Sequence, residues 1–216
     1  MPSEQELIAQ RLEKRERLLE RGGAYPARVA RTHAAARAVE AFVAQGEPAD
    51  LRVTVVGRVT AQRMMGRAAF LDVRDVSGRI QLHFRRDALG DFDDLDLVDL
   101  GDFLEVSGPL FRTRTGEVTV AVEAWRVITK AIRPMPDAWH GLADVETRYR
   151  QRYLDLIANE RSREIAFQRA QVVSLIRRFF LDRGFVEVEI FSAENWWKRD
   201  PAEVVDTCMQ RFASAC

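Results

Sequence analysis

The stretch Phe70-Leu71-Asp72-Val73-Arg74-Asp75-Val76-Ser77-Gly78-Arg79-Ile80-Gln81-Leu82-His83-Phe84 decides the fold class. Ala69, Leu71 and Val73 alternate with Phe70, Asp72 and Arg74, and Ile80, Leu82 and Phe84 alternate with Gln81, His83 and Arg85. A period of two puts successive side chains on opposite faces of a strand. Asp75-Val76-Ser77-Gly78 carries the small, polar residues of a tight turn, so the stretch reads as two antiparallel strands joined by a hairpin.

The same period extends to both sides. Val53, Val55, Gly57 and Val59 alternate with Arg52, Thr54, Val56 and Arg58. Beyond the hairpin, a helix fits Arg86 to about Leu97. Two more strands are expected at Phe103–Phe111 and Val118–Ile128, joined by Arg112-Thr113-Arg114-Thr115-Gly116. Five short strands with a helix between the third and fourth match the layout of an OB-fold barrel. The expected fold class is therefore mainly β with flanking helices.

Before the strands, residues 4–21 show helical spacing in Leu7, Ile8, Leu12, Leu18 and Leu19. Ser3 and Glu6 offer a capping box, and Gly22-Gly23 a stop. A second, Ala-rich helix is expected to open at Thr32 or His33 and to end near Gln45. After Arg133-Pro134-Met135-Pro136, which reads as a linker, residues 144–158 and 160–183 are helical again. Phe185–Glu189 then reads as the start of a strand. The expected division is 1–50 helical, 51–131 OB-fold domain, 132–159 linker and helix, 160–189 the start of a further domain, and 190–216 a tail.

The composition narrows the classes. In 216 residues, 47% are hydrophobic and 31% charged, the usage of an ordinary globular chain. No apolar run approaches the roughly 18 residues that span a bilayer, and no apolar signal core follows the polar start, so a cytoplasmic protein without membrane contact is expected. Cys208 and Cys216 and three scattered histidines, His33, His83 and His140, have no metal-ligand spacing. The 33 basic and 33 acidic side chains cancel only in sum. Residues 1–90 hold 16 basic and 11 acidic groups, whereas residues 91–110 hold 7 acidic groups and no basic one. Zero net charge therefore does not argue against nucleic acid, which responds to the local field.

Strand phasing selects one surface. If Leu71, Val73, Ile80, Leu82 and Phe84 face inward, then Phe70, Asp72, Arg74, Gln81, His83 and Arg85 face outward. Arg58 and Thr60 join them from the first strand, with Arg63 in the loop that follows. OB folds bind single strands on the face of strands two and three. Phe70 is suited to stack on an unpaired base, Gln81 to read a base edge, and the arginines to hold phosphates. The plain alternative is a solvated strand face with one exposed ring.

Longer strings carry a family resemblance. They are Arg15-Glu16-Arg17-Leu18-Leu19-Glu20-Arg21-Gly22-Gly23-Ala24-Tyr25-Pro26, Phe70 to Leu82, Leu110-Phe111-Arg112-Thr113-Arg114-Thr115-Gly116-Glu117, and Thr129-Lys130-Ala131-Ile132-Arg133-Pro134-Met135-Pro136-Asp137. With Arg148-Tyr149-Arg150-Gln151-Arg152-Tyr153-Leu154-Asp155-Leu156-Ile157, they resemble the bacterial class II lysyl-tRNA synthetases from about residue 4 to 189. The resemblance implies that residues 51–131 bind the anticodon of lysine tRNA. Phe70 stands where the family stacks an anticodon base, Gln81 where it reads the central uridine, and Arg63 where it contacts the anticodon region. A glutamate on strand five also takes part in the family; Ala124 is assigned to its place, with Glu123 beside it. Arg58, Arg74 and His83 complete the candidate set.

Residues 160–189 resemble the family's first catalytic-domain motif, which forms a dimer interface there, so weak self-association is expected. From Ile190 to Cys216 the resemblance ends. The family's second and third motifs, with their ATP-binding arginines, have no counterpart in these residues. The full-length family uses ATP and magnesium; for this chain alone no catalytic residue, cofactor or metal is expected. The tail reads as the product of a frame change or truncation, or as a selected extension. Two other readings stay open: a part of an active ligase whose catalytic portion is supplied elsewhere, and a non-specific single-strand binder.

Overall fold

A computed structural model describes residues 3–21, 25–135 and 142–188 of the chain. Two compact units divide at Leu154/Asp155, inside the segment expected to be linker and helix.

In the first unit, helix α1 runs Glu4–Glu20. Its capping box is formed: Ser3 N–H donates to the Glu6 carboxylate at 2.7 Å, and Glu6 N–H donates to Ser3 Oγ at 3.3 Å. The expected Gly22-Gly23 stop lies outside the described residues. Helix α2 runs Ala35–Ala44, starting later than its own residues suggest. Thr32 is tied instead to the first strand, its N–H donating to Thr54 O (2.9 Å) and its Oγ1 accepting from Thr54 N (2.8 Å). The free N–H groups of α2 are met from the hairpin turn: Ala35 N donates to Asp75 Oδ2 and Ala36 N to Ser77 Oγ, both at 2.9 Å. A helix capped by a remote turn leaves no cap signal in its own residues.

Six strands follow: β1 Arg52–Met65, β2 Ala68–Arg74, β3 Arg79–Arg85, β4 Phe103–Arg112, β5 Val118–Ala121 and β6 Ala124–Thr129. β1 pairs with β2, β2 with β3, β3 with β5, β5 with β4, and β4 with β1 again, so the pairing closes into a ring. β6 lies beside β5 on the same edge of β4. Val55, Val59, Leu71, Val73, Ile80, Leu82, Phe84, Leu104, Val106 and Val120 fill the interior, with Phe42 of α2 joining them. The alternation read from the hairpin is the one observed.

Three expectations change. The fifth strand is broken at Val122–Glu123, giving β5 and β6. At this corner the carbonyl of Ala121 lies 1.9 Å from where a Cβ on Gly108 would stand, so only glycine lets the two chains pass. The helix expected over Arg86–Leu97 reduces to a 3-10 helix at Phe92–Leu97. Gly90 and four aspartates between 91 and 96 are weak helix formers. Phe92 and Leu95, one turn apart in the tighter helix, are nonetheless buried, as is Leu97. Finally, Phe185–Val188 form no strand, and Glu189 lies outside the described residues.

The acidic block is matched by cations. Arg21 pairs with Asp94, Arg86 with Asp93 (2.6 Å) and Arg126 with Glu105 (3.0 Å). Lys130, 1% exposed, donates to Leu97 O (2.7 Å), Asp99 Oδ2 (2.5 Å) and the fully buried Asp102 Oδ2 (2.6 Å). Asp102 also accepts from the backbone N–H of Asp99 (2.8 Å) and Ala131 (2.7 Å). From α1, Lys14 reaches Asp99 (2.8 Å) and Arg11 donates to the carbonyls of Ala131 and Arg133 (both 3.0 Å).

In the second unit, the main helix runs Glu160–Leu181. Buried Asp155 accepts from Asn159 Nδ2 (2.6 Å) and Ser162 Oγ (3.0 Å). Phe180 meets Phe179 and Phe185 edge-on, at 5.6 and 5.4 Å, and all three rings are about half exposed.

Removing one member of a buried ion cluster leaves the other charge unpaired, at about 3–5 kcal/mol. Asp102→Ala is expected to lose stability on that scale in urea or thermal unfolding. Burial raises the Asp99 pKa, but hydrogen bonds from Lys130 and Lys14 outweigh it and hold it below the ordinary 3.8. A depressed carboxylate contributes stability above its unfolded value and loses it as the pH falls through the folded one. Acid unfolding should therefore sharpen below about pH 3.8 and weaken in Lys130→Met.

Candidate nucleic-acid interface

The side chains between the core residues of β2 and β3 form the outer face. Opposite residues share a face, so the register lays this surface out in rows. Phe70 stands opposite Arg63 on β1 and His83 on β3, and His83 stands opposite Ala121 on β5. The next row is Ala61, Asp72, Gln81, Thr119 and Phe111. Arg58, Arg74 and Arg79 make a third.

A β-bulge sets this phase. The register of β1 against β2 shifts between Val59 and Ala61, so Thr60 is an extra residue. Arg58 faces outward before the shift, and Ala61 and Arg63 after it. Without it, Arg63 would point inward and Gln62 outward. Gln62 instead donates to Leu95 O at 3.3 Å. Arg63 is thus a strand residue of β1, not part of a loop.

Phe70 and His83 stack at 4.6 Å with their planes 13° apart, and the His83 ring lies 5.8 Å from Phe111, tilted by 52°. Together they make an aromatic track across the sheet. Burial, followed by the nearby charge of Arg85, holds His83 below the ordinary 6.5, so a neutral ring is favoured at neutral pH.

Gln81 does face this surface, but it is only 6% exposed. Its Nε2 donates to Glu117 Oε2 and its Oε1 accepts from Thr119 Oγ1, both at 3.0 Å. A carboxylate only accepts, so Glu117 fixes which end of the amide carries the donors. One N–H and one lone pair of Gln81 remain for a ligand. Asp72, 5% exposed, accepts from Arg79 (3.0 Å), and Arg63 stands 3.8 Å from its other oxygen, which makes no hydrogen bond. Arg79 also pairs with Glu117 at 2.5 Å.

The structure brings Phe70, Gln81, His83 and Arg63 together. It does not bring Arg58 or Glu123 to them. Arg58 is half-buried, lies 4.4 Å above the Phe103 ring and donates to Gly101 O at 3.1 Å. Burial lowers its pKa. Glu123, at the corner between β5 and β6, pairs with Arg52. The carboxylate beside Gln81 is that of Glu117. Arg74 stands at the rim, between Arg58 and Arg79 in the register.

Sequence reasoning missed Glu117, Thr119, Phe111 and Arg79. The alternation of Val118 and Val120 as core residues was available to place Glu117 and Thr119 outward. The parallel pairing of Gln81 with Thr119 was not visible from either strand alone. Among the described residues no three His, Cys, Asp or Glu gather as a metal-ligand group, and no helix is long and apolar enough to cross a membrane.

Residues 53–128 match the family described as OB-fold nucleic acid binding domain, so the ring of strands defines a nucleic-acid-binding class. Residues 144–190 match the class II tRNA synthetases for D, K and N. The lysine–tRNA ligase of Thioalkalivibrio sulfidiphilus is 48% identical over 196 residues, covering 86% of this chain and 38% of the relative. Those of Yersinia enterocolitica (48% over 191 residues; 85% and 38%) and Coxiella burnetii (46% over 193; 86% and 39%) agree. By sequence the chain resembles the N-terminal part of the lysine–tRNA ligases, with an OB-fold nucleic-acid-binding match followed by a match to the class II synthetase domain. It spans about 38% of the length of these relatives.

Proposed function

We propose that residues 51–131 bind the anticodon loop of lysine tRNA. The carrying observation is the Phe70–His83–Phe111 track lying beside the Gln81–Glu117–Thr119 group on one face of the domain. An unpaired base stacks on Phe70 in place of, or against, the His83 ring. Uridine presents one ring N–H donor and two carbonyl acceptors. The Glu117 carboxylate accepts from the N–H, and the remaining Gln81 N–H donates to a carbonyl. Arg63 and Arg74 meet the phosphates, which makes binding salt-dependent.

Base–aromatic stacking contributes about 1–3 kcal/mol, or roughly five- to 150-fold in affinity. Phe70→Ala is expected to weaken binding of lysine tRNA by that factor, and Gln81→Ala to erase the preference for it over other tRNAs. Fluorescence titration at fixed salt reads both. Equal affinity for all tRNAs in the unaltered chain, insensitive to both variants, would select the non-specific single-strand reading.

The finer reading is that these 216 residues act by recognition and do not themselves activate lysine. What supports it is that the match to the synthetase domain covers only residues 144–190. Lysine-dependent ATP–pyrophosphate exchange should stay at background; turnover by the purified chain would overturn this. In this reading the chain acts in the cytoplasm, where tRNA is charged. The exposed Phe179, Phe180 and Phe185 support weak homodimerisation. Its readout is a sedimentation coefficient that rises with concentration and ceases to rise in Phe180→Ser; a constant monomer would exclude it.

A further inference from the structure

Asp72 stands in the middle row of the outer face, between Ala61 on β1 and Gln81 on β3. Its neighbours Leu71 and Val73 fill the core, and its own side chain turns away from them, so packing does not call for a carboxylate here. It is nonetheless 5% exposed. Oδ2 accepts from Arg79 Nη1 at 3.0 Å, whereas Oδ1 is buried and meets no hydrogen-bond donor. A buried polar atom left unmet costs stability and calls for an explanation. Arg63 Nη2 stands 3.8 Å from that oxygen, on a side chain that is half exposed. A charge-assisted hydrogen bond closes at about 2.8 Å. Arg63 is therefore drawn toward Asp72 by its charge without being bonded to it.

The rows alternate in charge. Arg63 lies in the row on one side, and Arg74 and Arg79 in the row on the other. The row between them carries the Asp72 carboxylate, and Glu117 reaches Gln81 in that same row. A phosphate laid over the middle row meets like charge at short range, in a partly buried setting where salt screens little. A base edge laid there offers N–H donors to acceptors. Discrimination between ligands commonly needs such a repulsive element beside the attractive ones.

We propose that Asp72 is a specificity-determining residue for RNA. It tethers Arg63 and Arg79 on either side of the middle row and bars phosphates from that row, so that a strand is held with its bases, not its backbone, over Gln81. Asp72 acts through Arg63 and is in that sense a positioning residue. The inference rests on the proposed anticodon-loop reading and adds the group that keeps other polyanions off the same face.

The test uses the full chain with two fluorescently labelled probes over a salt series: lysine tRNA, and inorganic polyphosphate, a polyanion without bases. Asp72→Asn keeps the shape of the side chain and removes its charge. It should tighten polyphosphate binding by up to about fivefold, the scale of one exposed ion pair. The slope of log affinity against log salt for polyphosphate should steepen by about 0.7, one further contact on a single-stranded polyanion. Lysine tRNA should gain less, so the preference for it falls. Adding Arg63→Gln to Asp72→Asn should return the slope to its original value, which a merely structural role of Asp72 would not produce. Asp72→Glu keeps the charge and should keep the preference. Asp72→Ser repeats the test with a smaller side chain if Asp72→Asn does not fold. Polyphosphate binding that is unchanged or weaker, an equal gain for both probes, or a slope that stays steep after Arg63→Gln overturns the role of Asp72 while leaving the Phe70 site standing. Lysine tRNA held no better than other tRNAs by the unaltered chain overturns the anticodon-loop reading itself.

Discussion

Lys130 holds its ammonium among the Leu97 carbonyl and the Asp99 and Asp102 carboxylates, almost out of contact with water. A charge in that position is tolerated only when every donor is met and the counter-charge is close. The requirement fixes several parts of the domain at once. The residue following β6 must return to the segment after the 3-10 helix, and Asp102 must sit just before β4. Through Lys14, helix α1 is drawn to Asp99. The interior hydrophobic residues give the ring its bulk of stability. The ion cluster determines where the chain enters and leaves that ring. It also explains the charge distribution along the chain. The acidic run from Asp91 to Glu105 is a set of counter-ions for α1, Arg86, Arg126 and Lys130, and much of its negative field is cancelled locally.

With the acidic residues occupied in this way, the arginines around β1, β2 and β3 define the outer face. That face is itself partly self-bonded. Arg79 bridges Asp72 and Glu117, and Glu117 in turn orients Gln81. The aromatic track is less constrained, since its rings are held by stacking. The two halves therefore differ in kind: a planar platform indifferent to base identity lies beside a bonded group with fixed polarity.

Much of this was legible from residues 51–131. Period-two alternation separated Leu71, Val73, Ile80 and Leu82 from Phe70, Gln81 and His83, because a half-buried strand has only two faces. What stayed hidden depended on partners distant in sequence. The cap of α2 comes from Asp75 and Ser77, and the break after β5 from the crossing at Gly108. Glu117 was overlooked because the glutamate was sought farther along the last strand, at Glu123. That residue turns toward Arg52 at the corner. The burial of Gln81 and Asp72 could not be read from alternation, which reports direction but not how closely neighbours crowd a surface.

The extra residue at Thr60 has a consequence for how this segment can vary. β1 cannot slide to absorb a change in its length, because β4 holds its residues 52–58 and β2 its residues 58–65. Inserting one residue between the bulge and Arg63 would turn Arg63 into the interior and bring Gln62 to the surface. Exchanging Thr60 for another polar residue would disturb neither. Along this strand, variation in spacing is constrained more tightly than variation in chemistry.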